Sequence, residues 1–173
     1  DGWRFLMWYS GYDGVRWRVG LATSDDGVRW VKHRGNPVLE PGPPGSWDAA
    51  SVAYSSVVIE DGGYRMWYQG GDAAGTWRIG LATSQDGVNW QKSPRNPVLA
   101  PGPAGSWDQE RVFTPHVLPW DKGYLMLYTG GTGTGIGYAF SKNGEQWRKA
   151  PENPALHAPE GSQALTVTGL RED

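Results

Sequence analysis

Carboxylates whose placement could support acid–base chemistry stand at two places in this 173-residue chain. Asp48 and Asp108 each end a Gly-Ser-Trp-Asp run, and Glu110 follows at the head of the segment "ERVFTPHVL". Two carboxyl groups facing each other across a bond can divide the work, one protonating the leaving group while the other acts as base or nucleophile. On an extended strand Glu110, Val112, Thr114 and His116 point to one side, because side chains alternate, which puts an acid, a hydroxyl and an imidazole in one row beside Arg111. A plainer reading stands next to this one. A repeated Asp in a short loop before a strand serves equally as a turn or cap residue, and a solvated Glu110 pairs with Arg111 or Lys122.

Other chemistries find little support. With no cysteine, disulfide scaffolds, thiolate metal sites and Cys nucleophiles are all absent, while the compartment stays open. His33, His116 and His157 lack short metal-ligand spacing, and no metal or cofactor is expected. Ser55, Ser56 and Ser162 have no recognisable His and Asp partners in the sequence. The run "GGTGTGIG" fits neither the dinucleotide nor the P-loop spacing, and it aligns with a hairpin loop of the preceding unit. A net charge of −2 without a basic run leaves no electrostatic footprint for nucleic acid or an anionic membrane, and no apolar run is long enough for a helical span.

The elements that must position these residues come as an internal repeat. "FLMWYSG", "YRMWYQG" and "YLMLYTG" open three units near residues 5, 64 and 124, each in the two-residue rhythm of a strand. A second strand follows ("VGLATS", "IGLATS", "IGYAFS"), then a turn ("DDG", "QDG", "KNG"), then a short third strand entered through Trp30, Trp90 or Trp147. Asp-Gly and Asn-Gly turns suit tight hairpins because glycine accepts positive φ. "GNPVL", "RNPVL" and "ENPAL" lead into a Pro/Gly loop, and a fourth strand closes each unit: "SVAYSSVVI", "RVFTPHVL" and "ALTVTGL".

Four short antiparallel strands recurring about every sixty residues predict an all-β propeller of four-stranded blades. The units run approximately 1–60, 61–120 and 121–173 as a single domain, with Asp1, Asp61, Asp121 and Asp173 at one register point. Three blades do not readily close a ring, so the expectation is either part of a larger propeller or a homo-oligomer that completes one. Nine of the eleven Trp fall at positions shared by at least two copies, which assigns them to packing and sets Trp30, Trp90 and Trp147 between sheets. Trp3 and Trp120 are the irregular aromatics.

The pattern "YRMWYQGG…IGLATSQDGVNW…NPVL…GSWD" resembles the blades of the five-bladed β-propeller glycoside hydrolases, the clan of families 32, 43, 62 and 68, with related mannoside phosphorylases. The resemblance covers nearly the whole chain and implies a carbohydrate partner and an extracellular or periplasmic setting. It also implies an innermost strand lining a central pocket, with Glu110 and Asp48 or Asp108 as acid and base. Arg111, His116, Thr114 and Tyr54 then bind substrate, and Trp120 offers a sugar-stacking platform. One departure is plain. Such enzymes commonly carry an acid one or two residues before the strand Pro, where this chain has Phe113 and Thr114, with Ala53 and Tyr54 or Leu165 and Thr166 in the other units. Two functions therefore stand: a glycoside-hydrolase-like propeller acting on oligo- or polysaccharide, and a non-catalytic carbohydrate- or protein-binding module or assembling fragment.

Overall fold

Turns written into the repeat decide where each strand ends. The computed structural model describes residues 5–159 and residue 165. In each unit a serine at the end of the second strand (Ser24, Ser84, Ser141) accepts the N–H of a glycine three residues on, at 2.8 to 2.9 Å. The Oδ1 of Asp26, Asp86 or Asn143 accepts the next two backbone N–H groups. The glycines, Gly27, Gly87 and Gly144, sit at φ 74 to 76°, where a side chain would be strained. Trp30, Trp90 and Trp147 close the turn by donating Nε1 to that glycine's carbonyl. Backbone N–H groups hold the Asp26 and Asp86 carboxyls below the ordinary carboxylate range. The repeated motif is therefore a self-capped turn.

All regular elements among the described residues are strands, paired antiparallel in three sheets. The first sheet contains β1 (Phe5–Tyr12), β2 (Trp17–Ser24) and β3 (Val31–Lys32). The second is β4 (Ser51–Glu60), β5 (Gly63–Gly71), β6 (Trp77–Ser84) and β7 (Gln91–Lys92). The third is β8 (Val112–Trp120), β9 (Gly123–Gly130), β10 (Gly135–Ser141) and β11 (Arg148–Lys149), with β12 (Leu156–His157) also on β10. This is the β-propeller architecture that the repeat predicts. "GGTGTGIG" forms the β9–β10 hairpin turn, with Gly131 and Gly133 at positive φ.

One expectation is corrected. The strand written last in a unit does not complete that unit's sheet: β4 pairs with β5 and β8 with β9, so sheets and sequence repeats are offset by one strand. The physical reason is the two-residue turn between them, which lets consecutive strands hairpin directly. Asp1, Trp3, Ser162, Thr166, Asp173 and the strand "ALTVTGL" apart from Leu165 lie outside the described residues.

The core lies between sheets. One apolar cluster joins Val19 and Leu39 of the first sheet and its outer loop to Val52, Met66, Tyr68 and Ala82 of the second, and another joins Trp67 and Leu81 of the second to Met126 and Tyr128 of the third. Trp90 meets Trp8 across the first junction and Trp147 meets Trp67 across the other, both edge-on at about 6 Å. Trp8 and Trp67 each donate Nε1 to a carbonyl of the neighbouring sheet's turn, Gly87 at 2.9 Å and Gly144 at 2.8 Å. Burying an aromatic such as Trp67 contributes about 4 to 6 kcal/mol gross by area, before ordering entropy. Trp30 remains 36% exposed and belongs to neither apolar cluster.

Candidate functional site: a recess on the inner-strand bulges

The innermost strands converge. Ser56 on β4 donates its hydroxyl to Val117 O at 3.4 Å and accepts Val117 N–H at 2.9 Å, tying β4 to β8. Both strands then break register at the same place, between Ala53 and Ser56 and between Phe113 and His116. At each break a residue with a side chain takes left-handed backbone, Tyr54 at φ 44° and Thr114 at φ 47°. Such backbone is unfavourable by about 1–2 kcal/mol, and a β-branched threonine there is an outlier.

Neighbouring sheets hold both kinks in place. Tyr54 N–H donates to Ser10 Oγ at 2.7 Å, and Thr114 N–H donates to Gln69 Oε1 at 3.2 Å. The hydroxyls of Thr114 and Thr129 lie 2.6 Å apart, and both residues are buried. Three non-identical residues at one repeat position, Ser10, Gln69 and Thr129, thus reach into the bulge region.

These bulges shape a recess of about 270 Å³, lined by Trp17, Tyr54, Gln69, Trp77, Arg111, Phe113 and Thr114. Its rings form a run: Tyr12 lies 5.3 Å from Trp17, and Trp17 lies 6.1 Å from Tyr54, centroid to centroid. Arg111 is fixed by donating Nε to Gly131 O at 3.1 Å, which aims the remaining fork as a cationic donor set. The lining carries no carboxylate. Flat aromatic faces beside an amide, a guanidinium and a hydroxyl suit a neutral polyhydroxylated ring, its C–H face on an indole and its hydroxyls on the polar groups.

Of the sequence-predicted residues, the structure brings together Tyr54, Arg111 and Thr114. The row of Glu110, Thr114 and His116 on one strand face is corrected: Glu110 precedes β8 and is exposed, and the bulge resets the alternation so that Thr114 is buried and His116 half-buried opposite Leu127. Trp120 stands at the far end of β8, roughly 20 Å along the strand from Thr114. It lines a separate recess of about 540 Å³ with Lys122, Phe140 and Arg148.

Asp48 and Asp108 line neither recess and are each 2% exposed. Asp48 Oδ2 receives Lys92 Nζ at 2.5 Å and Tyr68 OH at 3.1 Å, while Oδ1 receives Ser46 Oγ at 3.1 Å. Asp108 repeats this with Lys149 at 2.5 Å, Tyr128 at 3.2 Å and Ser106 at 3.1 Å. Burial first, then the adjacent carboxylate, pushes the Tyr68 and Tyr128 hydroxyls well above the usual phenol range. Every carboxylate oxygen is engaged within its own clasp, the geometry of the anchoring alternative.

Sequence reasoning missed Trp17, Gln69, Trp77 and Phe113. Repetition placed Trp17 and Trp77 with the scaffold, although the aligned position in the third unit is Thr134. The divergence of Ser10, Gln69 and Thr129 within an otherwise matching strand was the legible signal.

The comparisons bear on fold and family. Residues 55–166 match the model of the glycosyl hydrolases family 32 N-terminal domain. The chain is 32% identical over 152 residues to the uncharacterized protein MT1551 of Mycobacterium tuberculosis (strain CDC 1551 / Oshkosh), covering 83% of this chain but 48% of that protein. It spans, therefore, about half the length of that relative. Among solved structures it superposes on Zg3597, a family 117 glycoside hydrolase from Zobellia galactanivorans, with a TM-score of 0.73 and 19% identity, covering 83% of this chain and 44% of that one. It also superposes on fructan 1-exohydrolase IIa from Cichorium intybus, with a TM-score of 0.68 and 21% identity, covering 86% and 29% respectively. These structural likenesses concern the fold alone.

Proposed function

Because the chain belongs to the family of glycosyl hydrolases family 32 N-terminal domains, we propose that the bulge recess binds a sugar ring of an oligo- or polysaccharide. The observation that carries this reading is the recess itself: two consecutive inner strands kinked at Tyr54 and Thr114, with indoles and Arg111 gathered around the kinks. Strained backbone maintained by inter-sheet hydrogen bonds is a feature that binding sites retain. The activities of similar proteins, glycoside hydrolase and fructan exohydrolase, agree with a carbohydrate ligand.

Binding is favoured over cleavage for the described residues. Glycoside hydrolysis ordinarily uses two carboxyl groups roughly 5 to 10 Å apart, whereas the recess lining has none and Asp48 and Asp108 are committed to their clasps. Glu110, exposed and adjacent to Arg111, is the remaining candidate acid, and a hydrolytic role for it requires a second carboxyl group from another part of a longer protein.

The test is titration calorimetry with arabinan, fructan and mannan oligosaccharides, alongside turnover of nitrophenyl glycosides. Saturable binding that Trp77→Ala weakens about tenfold, without turnover, supports recognition. Turnover abolished by Glu110→Gln supports the hydrolase reading instead. No binding of any sugar in the panel overturns both.

A further inference from the structure

A sugar ring on the indoles leaves the charge of the recess unanswered. The ion pairs of the described residues engage Arg18, Arg65, Arg78, Lys92, Arg95 and Lys149, and Arg111 enters none of them. Its position is nonetheless fixed twice. Its carbonyl accepts Gly131 N–H at 3.0 Å, and its Nε donates to Gly131 O at 3.1 Å. Gly131 is pinned in turn, because the Trp107 indole lies against the preceding Gly130 and against Gly137, where an added Cβ would fall 2.4 and 2.5 Å from the ring. With Nε engaged, the Nη1 and Nη2 edge of the guanidinium remains for a ligand, and that edge matches the two oxygens of a carboxylate end-on.

Gln69 adds donors of the same sense. It is 3% exposed yet lines the recess, and its Oε1 accepts Thr114 N–H at 3.2 Å. That bond fixes which way the amide points, since only its oxygen can accept an N–H, and it leaves the Nε2 donors for the recess. Ser10 and Thr129, at the same repeat position, are shorter and end on neighbouring strands. The Thr114 hydroxyl is turned inward. Thr129 donates to Leu165 O at 3.3 Å, so the 2.6 Å bond between the two threonines is donated by Thr114. Arg111 and Gln69 therefore offer a ligand N–H donors alone, and no carboxylate in the lining opposes an anion.

We infer that the recess selects an acidic sugar: a uronate whose carboxylate is received by Arg111 Nη1 and Nη2 and by Gln69 Nε2, with its ring against the indoles of Trp17 and Trp77. The inference rests on the sugar-binding reading of the same recess and narrows it. An exocyclic carboxylate leaves the apolar C–H faces of a ring as they are in a neutral sugar, so neutral rings stack in the same place and bind more weakly. The difference comes from the donors. Hydrogen bonds from a guanidinium to a planar carboxylate are about twice as strong as those to a hydroxyl, and the aromatic walls reduce the screening by water.

The test is titration calorimetry with trigalacturonate and triglucuronate, each beside its methyl ester, which keeps the rings and linkages and removes the charge. One acid should bind about tenfold tighter than its ester, and the ratio should shrink as salt rises to roughly 0.5 M. Arg111→Met should bring the ratio near one, and Arg111→Lys, which keeps the charge without the fork, should restore part of it. Gln69→Glu keeps the acceptor for Thr114 N–H but exchanges the donor for a carboxylate oxygen. It should collapse the ratio too, and it decides the matter where Arg111→Met does not fold. Equal affinities of acids and esters, or no binding of either acid by a chain that binds the neutral panel, overturn the selectivity and leave sugar binding standing. A ratio that both Arg111→Met and Gln69→Glu leave intact overturns the assignment to these residues. Tighter binding of a 6-sulfated galactotriose than of either acid overturns the carboxylate. Silence of acids, esters and neutral panel together overturns the sugar-binding reading itself.

Discussion

The Trp-Asp clasps and the bulge recess adjoin in sequence, with Asp108 only three residues from Arg111, yet they are built oppositely. The clasps are repeated nearly atom for atom, and their carboxylates are buried and fully hydrogen-bonded. The recess combines a repeated pair, Trp17 and Trp77, with residues that differ between units; it is held by strained backbone and lined with aromatic and cationic groups. The contrast shows that in a repeat fold a conspicuous acid can be architecture, while a ligand site forms where copies diverge at a common structural kink. It also separates two kinds of mutational consequence: clasp substitutions should change stability, and recess substitutions should change affinity.

The largest effect is expected at a clasp indole. Trp107→Ala opens a cavity above Gly130 and Gly137 and should lower unfolding free energy by about 3 kcal/mol in urea titration. Asp108→Ala comes next, at about 2 kcal/mol, because it removes the only carboxylate paired with Lys149, which keeps its bond to Ala100 O and, at 26% exposure, part of its hydration. A smaller change at Asp108 than at exposed Glu110 would undo the distinction. Trp77→Ala should behave in the other way, with a stability loss under about 1 kcal/mol and an affinity loss near tenfold for the sugars that bind.

The smallest effect concerns alkaline pH. Burial raises the Tyr68 and Tyr128 phenols above their ordinary 10.0, and burial with the Glu60 hydrogen bond pushes Tyr124 up to about 12. The folded chain therefore holds these protons more tightly than the unfolded chain. Their stabilisation is complete below the unfolded value of 10.0 and is lost as pH rises through the folded values. Tyrosinate absorbance at 295 nm should thus rise in two stages, the later one coinciding with unfolding. A single transition near the ordinary value would mean that the clasp phenols are solvated.

The sheets were legible because their signals are local. Alternation is met by backbone pairing of strands adjacent in sequence, and the Asp-Gly turns and the Asn-Pro step by side-chain-to-backbone hydrogen bonds within about fifteen residues, such as Asn36 with Leu21 and Asn96 with Leu81. The pairing partner of the fourth strand was not legible from its position in the unit, since the same residues can end one sheet or begin the next. The recess was only partly legible. Tyr54, Arg111 and Thr114 were within reach, but alternation alone cannot foresee a bulge, and the bulge removed His116 from the row. Trp17 and Trp77 were hidden by their repetition, because two adjacent sheets present equivalent residues near one recess.

Indole N–H resonances offer the most direct measurement, because the eleven tryptophans include both kinds. During titration with the oligosaccharide panel, the signals of Trp17 and Trp77 should shift saturably while those of Trp47 and Trp107 stay fixed. Shifts confined to Trp47 and Trp107, or no shift at Trp17 and Trp77 with any sugar, would contradict the assignment of the recess as the binding site.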